Sequence, residues 1–352
     1  MAVADTLIRP PASDASTALP ARAEGLAARL YFLLLAALGL AALVLNVSDR
    51  WTPDLFPVAP PVDLVPPLDE HAWYAAFVQH QQDPIFAACG GAESLAQFKL
   101  LYWWEWLRRG SVLLLGGVLA AGLPVVAALP GSRSALRRLA GLACIGIGYL
   151  MAARLLDFAV AHVDDLARYN VGQYRHALEV SFASLALAFA LSAAITPRDL
   201  ARPRRAGWVF SGLIVLDIAA GALFTGRDAG AVWRDVPGYA GSAFPPIDRL
   251  VAYAPIWLNF TFNQYMIQLV HRMLSIGIWI ALAVNAVGTP SGRKARRLAW
   301  GLFALATAET AGGVASLWLG ASATAAFVHE LGAVALLATA IVSFASVQEK
   351  AF

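Results

Sequence analysis

The sequence predicts an all-α membrane protein with eight transmembrane helices arranged as two pseudo-symmetric four-helix bundles. Three observations predict it. The 352-residue chain is only 14% charged with a mean hydropathy of +0.63, against roughly 25% charged in soluble domains. Its apolar residues fall in separate runs of about 20, the length that crosses a hydrocarbon core of about 30 Å. Polar residues recur in the same order in the two halves of the chain. A soluble globule, a disordered polymer and a disulfide scaffold are excluded. Cys89 and Cys144 lie at different levels of such a bundle and are not expected to pair.

Residues 1–27, rich in Ala, Pro and Ser, read as a disordered cytoplasmic tail. They lack the cationic start, short apolar stretch and small-residue cleavage site of a signal peptide, so the first span, 28–47, is expected to be retained. The external loop 48–101 contains PVAPPVDLVPPLDEHAWYAAFVQHQQDP, too polar to span; Trp73, Tyr74 and Phe77 predict a short interfacial helix there. Spans at 102–128, 137–160 and 175–195 complete the first bundle, 28–200. Spans at 207–225, 262–287, 296–318 and 323–345 form the second, 201–346, followed by a cytoplasmic tail, 347–352.

Orientation follows from the cations. Arg9, Arg22 and Arg29 precede the first span, and Arg133, Arg137 and Arg138 follow the second. Arg198, Arg202, Arg204 and Arg205 follow the fourth, and Arg293, Lys294, Arg296 and Arg297 the sixth; with Lys350 they are more than half of the 26 Lys and Arg. The opposite connections hold Asp54, Asp63, Asp69, Glu70, Asp228, Asp235 and Asp248. Positive loops stay in the cytoplasm, so both termini are expected there, in a bacterial-type inner membrane. The net charge of +3 expresses this topology and is no argument for nucleic acid.

The internal repeat sets YWWEWLRRGSVLLL of the second span on YMIQLVHRMLSIGI of the sixth, so that Glu105 matches Gln268, Arg108 matches His271 and Arg109 matches Arg272. YRHALEVSFASLAL of the fourth span pairs with ATAAFVHELGAVALL of the eighth, setting Glu179 on His329. Ionisable groups facing lipid are costly, so these residues are expected to point into the bundles.

Of six histidines, His71, His80 and His162 lie in outer loops or at a helix end and read as solvated, and His176 sits at the outer end of the fourth span. His271 and His329 share a depth, about eight residues or about 12 Å inside the outer ends of their helices. Two imidazoles at one level on facing helices are what a six-coordinate heme iron needs. Arg272 either pairs with a heme propionate or snorkels to headgroups. In the first half the corresponding Arg108 and Glu179 are expected to form an ion pair that fills the space an iron occupies in the second. Glu105, on the face of Arg108, is either a proton acceptor or a further partner of Arg108 and Arg109. Asp157, Asp217 and Glu309 are additional membrane carboxylates, open to proton chemistry or to hydrogen bonding between helices.

These segments together resemble the heme A synthase family, in its mitochondrial and alphaproteobacterial form. The resemblance covers residues 28–346 and is carried by FKLLYWWEW, GALFTGRDAGAVWRDVP, LVHRMLS and FVHELGAVALL. It implies conversion of heme O to heme A by oxidation of a ring methyl to formyl, for terminal oxidase biogenesis. It also implies heme b held by His271 and His329 as iron ligands, Glu105 as the residue acting at the substrate heme, and Arg109 and Arg50 as substrate contacts. Heme O synthase, oxidase assembly factors or further copies of the chain are the implied partners. The sequence departs from the family pattern where Arg108 and Glu179 replace first-half histidines and where Asp217 and Glu309 replace glutamines. Two readings stand at this point: a synthase with an altered substrate site, or an inactive b-type heme-binding protein serving electron transfer or oxidase assembly.

Overall fold

In lipid every backbone N–H and C=O must be satisfied within its own segment, so long apolar runs become helices. The computed structural model describes residues 15–47, 62–82, 94–128, 133–161, 172–195, 205–289, 293–320 and 322–346. Its principal helices are α1 (Ala15–Val47), α2 (Glu70–Gln81), α3 (Leu95–Ala127), α4 (Arg133–Ala161), α5 (Gly172–Ile195), α6 (Arg205–Gly226), α7 (Gln264–Gly288), α8 (Arg293–Trp318) and α9 (Ala323–Ser346). All except α2 are long and apolar enough to cross a membrane, giving eight candidate spans among the described residues. Arg50, Cys89, His162 and the side chain of Asp157 lie outside the described residues, as does the tail 347–352.

Packing closes two rings. α1 packs on α3, α3 on α4, α4 on α5 and α5 on α1; likewise α6 on α7, α7 on α8, α8 on α9 and α9 on α6. The rings meet where α5 lies against both α6 and α9. A single apolar core runs through both, from Phe32 and Leu43 through Val180 and Leu187 to Ile214, Leu282, Leu302 and Leu337. At one end of the molecule Arg29 Nε donates to the Ala194 carbonyl at 3.1 Å and Arg138 Nη1 to the Ala193 carbonyl at 2.7 Å. These guanidiniums satisfy the unpaired carbonyls of the last turn of α5 and complement its dipole.

Three expectations are corrected. α1 begins at Ala15, so helix reaches into the segment expected to be disordered; its Ala, Leu and Arg residues are strong helix formers. α3 begins at Leu95 rather than 102 because Ser94 and Gln97 form a reciprocal cap, Gln97 N–H donating to Ser94 Oγ at 3.3 Å and Ser94 N–H to Gln97 Oε1 at 2.9 Å. The third concerns His80 on α2, the helix expected from Trp73, Tyr74 and Phe77, of which Tyr74 is exposed. Trp73, Phe77 and His80 lie four and three residues apart, share one face, and are buried against α3. Trp73 stacks edge-on to Tyr102 at 5.0 Å, and Phe77 lies 5.3 Å from Phe98. His80, expected to be solvated, is 1% exposed beside Phe98; His71, on the other face, is exposed as expected.

The segment between α6 and α7 folds over the end of the second ring. Asn259 orders it: its carbonyl oxygen accepts from Ala252 and Tyr253 N–H, and its amide donates to the Tyr253 and Ile256 carbonyls. Asn263 caps α7 by accepting from Tyr265 N–H. Trp233, Tyr239 and Leu250 form a small core against Tyr265 and Leu269.

Candidate functional site

The second ring carries an alternation of acid and histidine. α6 contributes Asp217, α7 His271, α8 Glu309 and α9 His329. His271 and His329 lie seven and six residues from the first residues of their helices, about 10 Å and 9 Å along the axis. Their rings stand 6.3 Å apart, centre to centre, at 65°. Asp217 Oδ1 is 2.8 Å from His271 Nδ1, and Glu309 Oε1 is 2.7 Å from His329 Nδ1. Each carboxylate approaches off the N–H direction, so these are close contacts rather than aligned hydrogen bonds. Asp217 is fixed from α7 by Ser275 Oγ, which donates to Oδ2 at 2.9 Å and Oδ1 at 3.1 Å. Phe224 flanks the His271 ring at 5.6 Å.

Between these helices lies a cavity of about 240 Å³ whose apolar walls include Ile214, Ile218, Trp279, Val314 and Leu336. It lies near the lower edge of ordinary ligand pockets, about 300–1,000 Å³. With Nδ1 of each imidazole engaged by a carboxylate, Nε2 is the nitrogen left for a metal. A metal–imidazole bond of about 2 Å on each side of an iron puts the ring centres roughly 6 Å apart, and 6.3 Å is found. Among the described residues no group of three or more His, Cys, Asp and Glu forms a conventional metal cluster. Two imidazoles alone are a donor set that could serve an iron already bound in a macrocycle.

Arg272 lines the same cavity. Its Nη1 donates to the Gly238 carbonyl at 3.0 Å and Nη2 to the Trp233 carbonyl at 2.9 Å, and its guanidinium lies 5.1 Å from the Tyr239 ring. Its buried Nε has no hydrogen-bond partner among the described residues, leaving a donor for an acidic group at the cavity edge. Arg272 thus straps the overlying loop down rather than snorkelling.

In the first ring a charged cluster occupies the corresponding positions. Arg108 forks onto Glu105, with Nε to Oε2 and Nη2 to Oε1 both at 2.8 Å, and Arg109 Nε reaches Glu105 Oε1 at 2.5 Å. Arg108 Nη1 lies 3.4 Å from both oxygens of Glu179 on α5. The expected Arg108–Glu179 approach is present as the longer arm of a cluster centred on Glu105. Sequence spacing favours this, because Arg108 and Arg109 lie three and four residues beyond Glu105 on one helix. Glu105 is buried, whereas the Arg109 side chain is half exposed.

Asp217 and Glu309 were not assigned to the histidines on sequence alone. A signal was available: each lies nine residues before the end of its helix, Gly226 and Trp318 respectively, the same equal-depth criterion that singles out the histidines.

Fold and site define a polytopic helical membrane protein of two four-helix rings, one of which buries a carboxylate-backed histidine pair. The chain belongs to the cytochrome oxidase assembly protein family (COX15-CtaA), whose sequence profile matches residues 60–341. Among its relatives is a heme A synthase of Methylorubrum extorquens strain PA1, 32% identical over 338 residues, 90% of this chain and 85% of the relative. Heme A synthases of Azorhizobium caulinodans, 31% identical over 79% of this chain and 81% of the relative, and Rhodopseudomonas palustris, 28% identical over 91% and 89%, are also similar.

Proposed function

We propose that the protein converts heme O to heme A in the bacterial inner membrane by oxidising a ring methyl to formyl, with heme b resident in the second ring. The observation that carries the reading is the imidazole pair at 6.3 Å, on a chain similar along most of its length to heme A synthases. When bound, heme b supplies one-electron redox chemistry inside the membrane. His271 and His329 would hold it, and the free Nε of Arg272 would take an acidic edge group while its Nη atoms keep the 233–239 loop closed over the cavity.

Heme O is the substrate, and the first ring is its assigned place. Balanced with water as the oxygen source, methyl to formyl releases four protons and four electrons; the electrons leave to an external electron acceptor, and Glu105 is assigned to accept the protons in turn at a carboxylate oxygen. Arg108 engages both oxygens and Arg109 shares Oε1, so withdrawal of Arg109, whose half-exposed side chain an acidic substrate can draw away, frees a lone pair of Oε1 for the proton while Arg108 stays pinned between Glu105 and Glu179. The acidic loops at the histidine end and the cation-rich opposite end support cytoplasmic termini.

The test expresses the protein in a host that makes heme O but no heme A and resolves extracted hemes by mass. Heme A or its hydroxylated precursor is expected. Heme B alone, with heme O available, would overturn synthase activity.

A further inference from the structure

We propose that Asp217 and Glu309 are positioning residues that set the reduction potential of the iron held between His271 and His329, acting as a matched anionic pair that favours the ferric state. The inference rests on the heme reading above and concerns residues that reading does not use. Each acid stands on a helix neighbouring the one that carries its histidine, and each is placed by that histidine helix. Ser275, one turn beyond His271 on α7, donates to both oxygens of Asp217. Gly332, three residues beyond His329 on α9, leaves the space the Glu309 carboxylate fills, since a Cβ there would overlap Glu309 Oε2.

A ligating histidine commonly directs its second nitrogen at a carboxylate, a carbonyl or water. Here both partners are carboxylates, at 2.8 and 2.7 Å from Nδ1, in a ring of apolar helices. A ferric heme carries one more positive charge than a ferrous one. Two anions behind the ligands stabilise that charge strongly where the dielectric is low. A neutral amide of the same shape holds the ring equally well and lacks the charge, which separates potential-setting from simple support.

The experiment uses full-length protein purified in detergent, with heme quantified by pyridine hemochrome, spin state by electron paramagnetic resonance, and midpoint by spectroelectrochemical titration. D217N, E309Q and the double variant are expected to keep low-spin heme. Each single change should raise the ferrous-to-ferric ratio at fixed ambient potential at least about tenfold, an upward midpoint shift of about 59 mV for a one-electron couple, and the double variant should rise further. D217E and E309D, which keep the charge, should stay near the parent value. Loss of heme from the amide variants alone overturns the proposal, because the carboxylates would then serve heme retention rather than the potential. An unchanged midpoint in the double variant overturns it, as does loss of heme from all of them, which would make the acids mere supports of the fold. Parent protein that purifies without heme overturns the heme reading itself, a failure read before any variant is made.

Discussion

At the residue scale, the histidine pair depends on what is missing beside it. A Cβ at Gly313 would lie 3.0 Å from His329 Cε1 and 3.1 Å from Nε2, and nothing lies within 4 Å of a Cβ at Gly277. Gly313→Ala is therefore expected to lower the heme-to-protein ratio several-fold by turning the ring, and Gly277→Ala to leave it unchanged, read from Soret absorbance against protein. His271→Ala or His329→Ala should abolish bound heme altogether; an unchanged low-spin spectrum in either would sink the ligand assignment. The histidines were legible in the sequence because depth in a helix is linear in residue number. The carboxylates behind them were not read, because their partnership is a contact between helices. His80 was misread for the same reason, its burial being a property of α2 seated on α3 and not of its own segment.

At the element scale, two devices hold secondary structure together, one between helices and one within a loop. Arg108 joins α3 to α5 through Glu179 while forking onto Glu105. Removing it takes from Glu179 its partner on α3 and leaves Glu105 with Arg109, so Arg108→Ala should cost about 3 kcal/mol of stability. Adding Glu179→Gln should restore part of that loss, because the penalty is an uncompensated charge. Thermal unfolding in detergent measures both, and equal melting temperatures for parent and Arg108→Ala would remove the cluster from any structural role. In the loop, Ala240 and Gly241 take φ of 54° and 81° between Tyr239 and Ser242, whose backbones pair at 2.8 and 3.2 Å. Positive φ at both central residues is the twist a tight two-residue hairpin needs, and it is unfavourable for alanine. The Asp235 carboxylate holds it by accepting from Gly241 N–H at 3.0 Å and Ala240 N–H at 2.9 Å, and these bonds draw its pKa below the ordinary aspartate value. A depressed folded pKa means the support is present above the ordinary aspartate range and is lost as pH falls through the lowered value. Amide exchange at Gly241 should accelerate over that acid window in the parent, and Asp235→Asn should flatten the dependence.

At the scale of the whole molecule, the two rings share one apolar core. The spans were legible to within a few residues in most cases, because the membrane imposes both length and composition. The start of α3 was not, since a capping box acts through two polar residues that an average over apolar residues does not register. Which end faces which compartment rests on charge. Arg29 and Arg138 close α5 at the end opposite the histidines, where α8 also starts with Lys294, Arg296 and Arg297, whereas the loop that carries Asp228, Asp235 and Asp248 covers the histidine end. On the proposed orientation, with the cations retained in the cytoplasm, the histidine pair lies about 10 Å below the outer surface. Cysteine introduced as Asp248→Cys or Lys294→Cys, with Cys89 and Cys144 changed to serine, tests this in intact cells with an outer membrane made permeable. A thiol reagent that cannot cross the inner membrane should label the first and spare the second until the cells are broken. The reverse pattern would turn the molecule over, moving the histidine pair and its closing loop to the cytoplasmic face.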